Sequence, residues 1–380
     1  MLSFSLPLCI LVTAAAMFWF GSYRQTRRPG VGAMCTGLVL LEVAIIADFL
    51  KAQPALSALP MQLAQHGSVL VSGYYVQVFC LHLTTDAQLV ARQLRLRKAM
   101  LVAALVSLVT LYALGPWRYG LTVIASDHGD LPWVMPYLTV YGTYLAWAMI
   151  DVLWMSRLAG HVGRRHLRLG LRLMGVASLV GMLYVAHRLG LSAASALGGE
   201  VDQAEPDRWT VSTWLIFLSV LLFMLGVMIP PLGARWEERQ AYLRLEPLWR
   251  ALTSVAPELV FARGRHTNRL RVRITEIRDV LIGPLHPYLD QEIIDSVRDR
   301  LDGQRLPPHR AQAMAEAAAV ACAIEAKRQN FPALTVDPVV IGETDEANDT
   351  LNLIRIGDAF ASPVVAETVK EFLDHHDRTR

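Results

Sequence analysis

Charge is what this chain of 380 residues is short of. Only 18% of its residues are Asp, Glu, Lys or Arg, against 53% hydrophobic, where a soluble domain carries about a quarter charged. That shortage points to a membrane. Cysteine is scarce as well: Cys9, Cys35 and Cys80 fall in apolar runs and Cys322 in a charged tail. That distribution suggests neither a disulfide framework nor a metal-ligand spacing. No G-x-x-x-x-G-K-[ST], H-E-x-x-H or G-x-S-x-G occurs, which removes the P-loop, zinc-protease and serine-hydrolase readings. Without a nucleophile–base spacing or a metal set, no enzyme and no cofactor is expected. No basic leader precedes the first apolar run, so a cleaved secretory signal is not expected, and Leu6-Pro7-Leu8-Cys9 lies too near Met1 for a lipoprotein box. There is no strong strand pattern and no repeat of fixed period.

What is present is a series of long apolar runs. Seven are long enough to span a ~30 Å hydrocarbon core: Leu6–Tyr23, Val31–Leu50, Gly67–Leu83, Met100–Trp117, Trp133–Met155, Leu169–Ala186 and Trp209–Ile229. The last has no lysine, which excludes a retinal Schiff base there. Arg24, Arg27 and Arg28 lie in the first loop, Arg92, Arg95, Arg97 and Lys98 in the third, and Arg157, Arg164, Arg165 and Arg168 in the fifth. The alternate loops collect Asp127, Asp130, Glu200, Asp202, Glu205 and Asp207. Because basic loops stay cytoplasmic, the N-terminus is expected outside and the C-terminus inside. The expected fold is all-α: a polytopic seven-transmembrane-helix bundle over residues 1–231, then a soluble cytosolic helical domain over 232–380. Trp117, Trp133 and Trp209 read as an interfacial aromatic belt, and His187-Arg188 as a pair snorkelling to the outer interface.

Ionisable groups inside spans are costly and therefore candidates for function. Glu42 lies midway along the second run, as a proton or cation site or as a paired packing residue. The third run aligns Ser68, Ser72, Tyr75, Phe79 and His82 on one helical face, continued by Asp86; the fifth aligns Tyr137, Tyr141, Tyr144 and Asp151. Such faces line a pocket or a polar path, or else hydrogen-bond between helices. His82 and Asp151 both fall towards the cytoplasmic end, where contact between them would make a proton-sensitive latch.

Beyond Arg235 the pattern is one of soluble helices: Arg235–Ser254, Asn268–Leu285, Glu292–Leu301, an Ala-rich Ala311–Arg328, Glu346–Phe360 and Ser362–Leu373. Pro230-Pro231 is expected to stop or kink the last span. In the second of these helices Leu270, Ile274, Ile277 and Leu281 form one apolar face. Arg273 and Glu276 are spaced for an ion pair along the helix, Thr275 and Asp279 are likewise neighbours, and Arg278 is placed to reach an acid on a packed neighbour. Arg263, Arg265, Arg269, Arg271 and Arg273 suit a solvated face, or acidic lipid headgroups, better than nucleic acid, and no direct nucleic-acid binding is expected. Asp374-His375-His376-Asp377 is expected to fray rather than to bind metal.

Seven spans followed by a helical domain carrying Thr275-Glu276-Ile277-Arg278-Asp279-Val280-Leu281 and Pro287-Tyr288-Leu289 resemble a family of actinobacterial membrane proteins named as transporters. Glu316-Ala317-Ala318-Ala319 and Ser362-Pro363-Val364-Val365 are also similar to that family's pattern. The resemblance implies a plasma-membrane protein with a C-terminal domain of unknown function, and supplies no catalytic residues. Two functions remain in view. One is a sensor or regulator whose cytosolic domain contacts a protein partner, the ion motif Arg273, Glu276, Arg278 and Asp279 lying in that domain. The other is a secondary transporter using Glu42, His82 and Asp151. The lipid bilayer is the expected partner in both, and a homo-oligomer fits either.

Overall fold

The computed structural model of the chain describes residues 2–51, 58–84, 87–121, 124, 126–161, 163–198, 206–260, 269–302, 306–334, 339, 341 and 346–378. Asp86, Glu200, Asp202, Glu205, Arg263 and Arg265 lie outside the described residues, as do the side chains of Asp127, Asp207 and Trp209. Every regular element among the described residues is helical, and the chain divides into two compact units, Met1–Gly233 and Ala234–Arg380.

The first unit contains α1 (Leu2–Thr26), α2 (Pro29–Leu50), α3 (Ala58–Thr84), α4 (Ala87–Leu114), α5 (Val134–Ser156), α6 (Arg165–Ala196) and most of α7 (Pro206–Arg244). Five stretches are long and apolar enough to cross a membrane: Pro29–Leu50, Leu89–Leu114, Val134–Ser156, Arg165–Ala196 and Val211–Arg244. These imply a bilayer environment. The third helix is more polar, because Gln62, Gln65, His66, Gln77 and His82 interrupt its apolar residues. Arg92, Arg95, Arg97 and Lys98, expected in a loop, instead ride the first turns of α4. That helix stops at Leu114, just before Gly115-Pro116, as a proline disfavours helical geometry in the residue before it.

Two apolar clusters hold this unit. Met34, Leu38, Met155, Met174 and Met224 join α2, α5, α6 and α7, while Leu70, Leu108 and Tyr137 join α3, α4 and α5. Gln62 pins the connection after α4 to α3: its Nε2 donates to the carbonyl of Ile124 at 2.7 Å and its Oε1 accepts from the Ile124 N–H at 2.7 Å. Both groups are buried, and each is satisfied by the other, as a water-free interior requires.

Pro230-Pro231 does not stop the last span. The helix α7 runs unbroken through both prolines to Arg244. Pro230 has no N–H to give the carbonyl four residues earlier, that of Gly226. That carbonyl lies against Gly170 of α6, where a Cβ would come within 2.7 Å of Gly226 O and 2.5 Å of Pro230 Cγ. On α7, a Cβ at Gly226 would come within 2.6 Å of Met174 Cγ. Small residues let the two backbones close up, so packing stabilises a helix that propensity alone would break.

The second unit begins with the end of α7 and continues through α8 (Glu246–Val255), α9 (Arg269–Ile282), α10 (Gln291–Leu301), α11 (Pro308–Arg328), α12 (Glu346–Ala359) and α13 (Pro363–Arg378). Its centre is α11, in which Ala315, Ala317, Ala318, Ala319 and Cys322 are wholly buried. Alanine is the best helix former, and its small side chain lets neighbouring helices approach from several sides. Leu248, Leu252, Ile277, Val280, Leu285, Ile294 and Ile356 complete the core around it. The caps follow local chemistry: Asp290 Oδ1 accepts from the Glu292 N–H at 2.9 Å, and Pro363 opens α13 directly after Ser362. The Asp374–Asp377 run does not fray. It remains helical, with the His376 ring stacked on Phe331 at 4.7 Å between centroids.

The α6–α7 seam gives a direct test. Replacing Gly170 with Leu is expected to destabilise the detergent-solubilised chain by about 1–3 kcal/mol through overpacking, read as a lowered Tm. Gly190→Leu, on the same helix but with open space at its Cβ, is expected to leave Tm nearly unchanged.

Candidate functional site

The densest polar network of the first unit lies where α3, α4 and α5 meet. Asp151 Oδ1 accepts from Arg97 at 3.0 Å, and its Oδ2 accepts from Gln77 Nε2 at 2.8 Å. The Tyr144 hydroxyl donates to Gln77 Oε1 at 3.4 Å, and the Arg97 guanidinium lies 5.8 Å from the centre of the Trp147 ring. The ion pair is largely withdrawn, its side chains 14% and 18% exposed, and Gln77 is completely buried. Arg97 can reach Asp151 because it shares the buried face of α4 with Leu101, Ala104 and Leu108, as residues three, four and seven apart do. The carboxylate is thus neutralised inside the bundle and its two oxygens are both occupied.

This arrangement separates residues that spacing alone had grouped. His82 does not meet Asp151, so the latch contact is not formed. His82 Nδ1 bonds the carbonyl of Val78 on its own helix at 2.8 Å, and its Cβ packs against Gly30 of α2. The stripe Ser72–Tyr75–Phe79–His82 lies along a seam with α2. Ser72 Oγ donates to Gly37 O at 2.7 Å, and Tyr75 packs against the same glycine. Gln77, on a different face of α3, is what turns towards α5.

Glu42 sits on the α1 side of α2. Its Oε1 accepts from Thr13 Oγ1 at 2.9 Å and from Cys9 Sγ at 2.7 Å, and its Oε2 is buried without a hydrogen-bond partner among the described residues. Tyr141 belongs to a fourth group, stacked at 4.3 Å on His66, whose Nδ1 is 2.9 Å from the Tyr137 hydroxyl. Nearby, Asp48 accepts from Gln65 at 3.0 Å and pairs with Lys51 at 2.7 Å. His187, expected to snorkel, is bonded to Ser212 of α7 at 3.0 Å. The six intramembrane candidates therefore fall into separate clusters: Tyr144 with Asp151, Tyr75 with His82 along the α2 seam, Glu42 with α1, and Tyr141 with His66.

In the second unit Arg273 and Glu276 are both buried on α9. They are not partners of each other in the manner their spacing suggested. Arg273 pairs with Glu246 at 2.6 Å, donates to the carbonyl of Tyr242 at 2.6 Å, and lies 3.5 and 4.8 Å from the centres of the Tyr242 and Trp249 rings. Glu276 accepts from the indole N–H of Trp249 at 2.7 Å. Trp249 thus offers its face to the cation and its N–H to the carboxylate. Arg278 reaches Asp349 of α12, while Asp279 is exposed. A second polar chain, running from half-exposed Arg298 to buried Glu316, was not foreseen: Arg298 donates to Gln312 at 2.6 Å, and Gln312 and Asn352 donate to Glu316 at 2.6 and 2.9 Å.

Residues 234–362 match the sequence model of a family of unknown function, DUF6545. Arg273, Glu276, Arg278, Glu316 and Asp349 all lie within the DUF6545-like region. No curated protein and no solved structure matches the chain. Gln77 and Arg97 are what sequence reasoning missed. The signal available was charge balance, since an arginine more than two turns inside one apolar helix and an aspartate in another call for each other.

Arg97→Gln is expected to cost about 3–5 kcal/mol, because it leaves a withdrawn carboxylate without its counter-charge. The double variant Arg97→Gln/Asp151→Asn is expected to recover most of that loss in detergent unfolding curves. In the second unit, burial pushes the Cys322 thiol up from its ordinary 9.0 to about 12, helped by Asp290 and Glu325. The unfolded thiol ionises from pH 9 upward while the folded one keeps its proton, so this contribution to stability is complete below about 9 and declines towards 12. Iodoacetamide at pH 9 is expected to leave Cys322 unmodified in the folded chain and to label it after denaturation, as read by peptide mass spectrometry.

Proposed function

We propose that the chain is a seven-span plasma-membrane sensor or regulator, with its N-terminus outside, whose bundle state is passed to a cytosolic helical unit that engages a protein partner. The observation that carries this reading is α7, which continues without interruption from Pro206 to Arg244 while the division between the two units falls at Gly233. A Gly/Ser-rich linker would uncouple two units, whereas a continuous helix carries a shift or rotation along its length. The pairing of Asp151 with Arg97 supports a regulator over a cation carrier, since the acid is already neutralised within the protein. The basic start of α4 supports the orientation.

Transport of a small solute is the second reading, favoured by Glu42 and its unbonded Oε2. In this reading Glu42, His82 and Asp151 act at separate positions along a route. Neither reading assigns catalysis to any residue.

Hydrogen exchange separates the two. With the full chain in nanodiscs, Arg97→Gln is expected to change amide exchange in α8 and α9, and insertion of two glycines after Glu238 is expected to abolish that response. Exchange in residues 246–282 that ignores Arg97→Gln would sink the coupling idea, and solute uptake into proteoliposomes that Glu42→Gln abolishes would replace it with transport.

A further inference from the structure

The helix α4 is the least buried of the five membrane-crossing stretches, with 11% of its apolar window covered. Its outward face is not uniform. A shallow trough runs along it, lined by two neighbouring i, i+4 rows: Arg95, Ala99, Ala103 and Ser107 in one, and Lys98, Val102 and Val106 in the other. Each row is headed by a cation. The small row forms the floor and the valines form a ridge. Val102 and Val106 are 51% and 60% exposed. Arg95 and Lys98 are exposed and have no ion pair among the described residues. Arg97, between them in sequence, faces the opposite way and is used by Asp151.

We propose that this trough is a binding site for an anionic phospholipid. The phosphate lies between the Arg95 guanidinium and the Lys98 ammonium, which have no acid to neutralise them among the described residues. One acyl chain lies over Ala99 and Ala103 against the valine ridge. The spacing suits this occupant: from Arg95 to Ser107 the helix rises roughly 18 Å at 1.5 Å per residue, close to the roughly 15 Å depth of one leaflet's hydrocarbon. Charge complementarity selects the headgroup, and the missing side-chain bulk at Ala99 and Ala103 admits the chain. Placing this lipid in the inner leaflet rests on the orientation proposed above, whereas the binding itself does not.

The test is native mass spectrometry of the full chain, released from micelles doped with equal dioleoylphosphatidylglycerol and dioleoylphosphatidylcholine. A lipid-bound form preferring phosphatidylglycerol by about 25-fold is expected, since each of the two cations near a headgroup contributes about fivefold. Arg95→Gln/Lys98→Gln is expected to remove the preference. Ala103→Leu, which fills the trough at an exposed position and keeps both charges, is expected to reduce bound lipid of either kind with Tm unchanged. Equal retention of the two lipids by the unaltered chain overturns the proposal, as does a preference that survives the double charge variant. A dimer that Ala103→Leu dissociates, with no lipid preference, assigns the face to a second copy instead and equally overturns it. Protease accessibility of residues 234–380 in sealed vesicles reports the orientation separately, so an error there is distinguishable from an absence of binding.

Discussion

A carboxylate placed among apolar helices has to find its counter-charge inside the protein, because hydrocarbon offers neither water nor ions. Asp151 meets that requirement with Arg97, and much of the bundle's arrangement follows from the pairing. It fixes the rotation of α4, turning Arg97 inward and leaving Arg95 and Lys98 outward. It fixes the face of α3 that meets α5, since Gln77 must fill the second oxygen of Asp151. That rotation in turn gives the stripe from Ser72 to His82 to α2. One withdrawn ion pair therefore sets the register of three helices.

The second unit solves a related problem with different means. Arg273 and Glu276 are buried among the packed helices of this unit, and the surrounding groups use several faces of them. Tyr242 and Trp249 supply aromatic surface to the cation, Glu246 its charge, and the Trp249 indole a donor to the second carboxylate. Such a cluster is costly to assemble and costly to break, and it holds the end of α7, α8 and α9 in one geometry. Because α7 is common to both units, its membrane-crossing stretch and Tyr242 of this cluster belong to a single helix.

The close seam between α6 and α7 shows how packing overrides local preference. Pro230-Pro231 removes backbone donors, and by itself would end a helix. Gly170 lets α6 come close enough to cover the exposed Gly226 carbonyl, so the interruption is absorbed by a neighbour. The Asp374–Asp377 run behaves similarly: a polar terminus becomes ordered helix because His376 has Phe331 to stack upon.

By itself the sequence determined the membrane-embedded character, the helical class, the places of the long helices and most helices of the second unit. Each of these depends on local composition and period, which neighbours in the chain carry. The Ala-rich α11 and the Ser362-Pro363 start of α13 were legible for the same reason. Partner choice was not. Arg273 was spaced for Glu276 yet found Glu246, and the expected apolar face of Leu270, Ile274, Ile277 and Leu281 packs into the core but shares the buried side of α9 with Arg273 and Glu276. His82 and Asp151 shared a depth but not a direction. Only the tertiary structure decided these, because side-chain pairing depends on how each helix is rotated against its neighbours, and no single helix contains that angle.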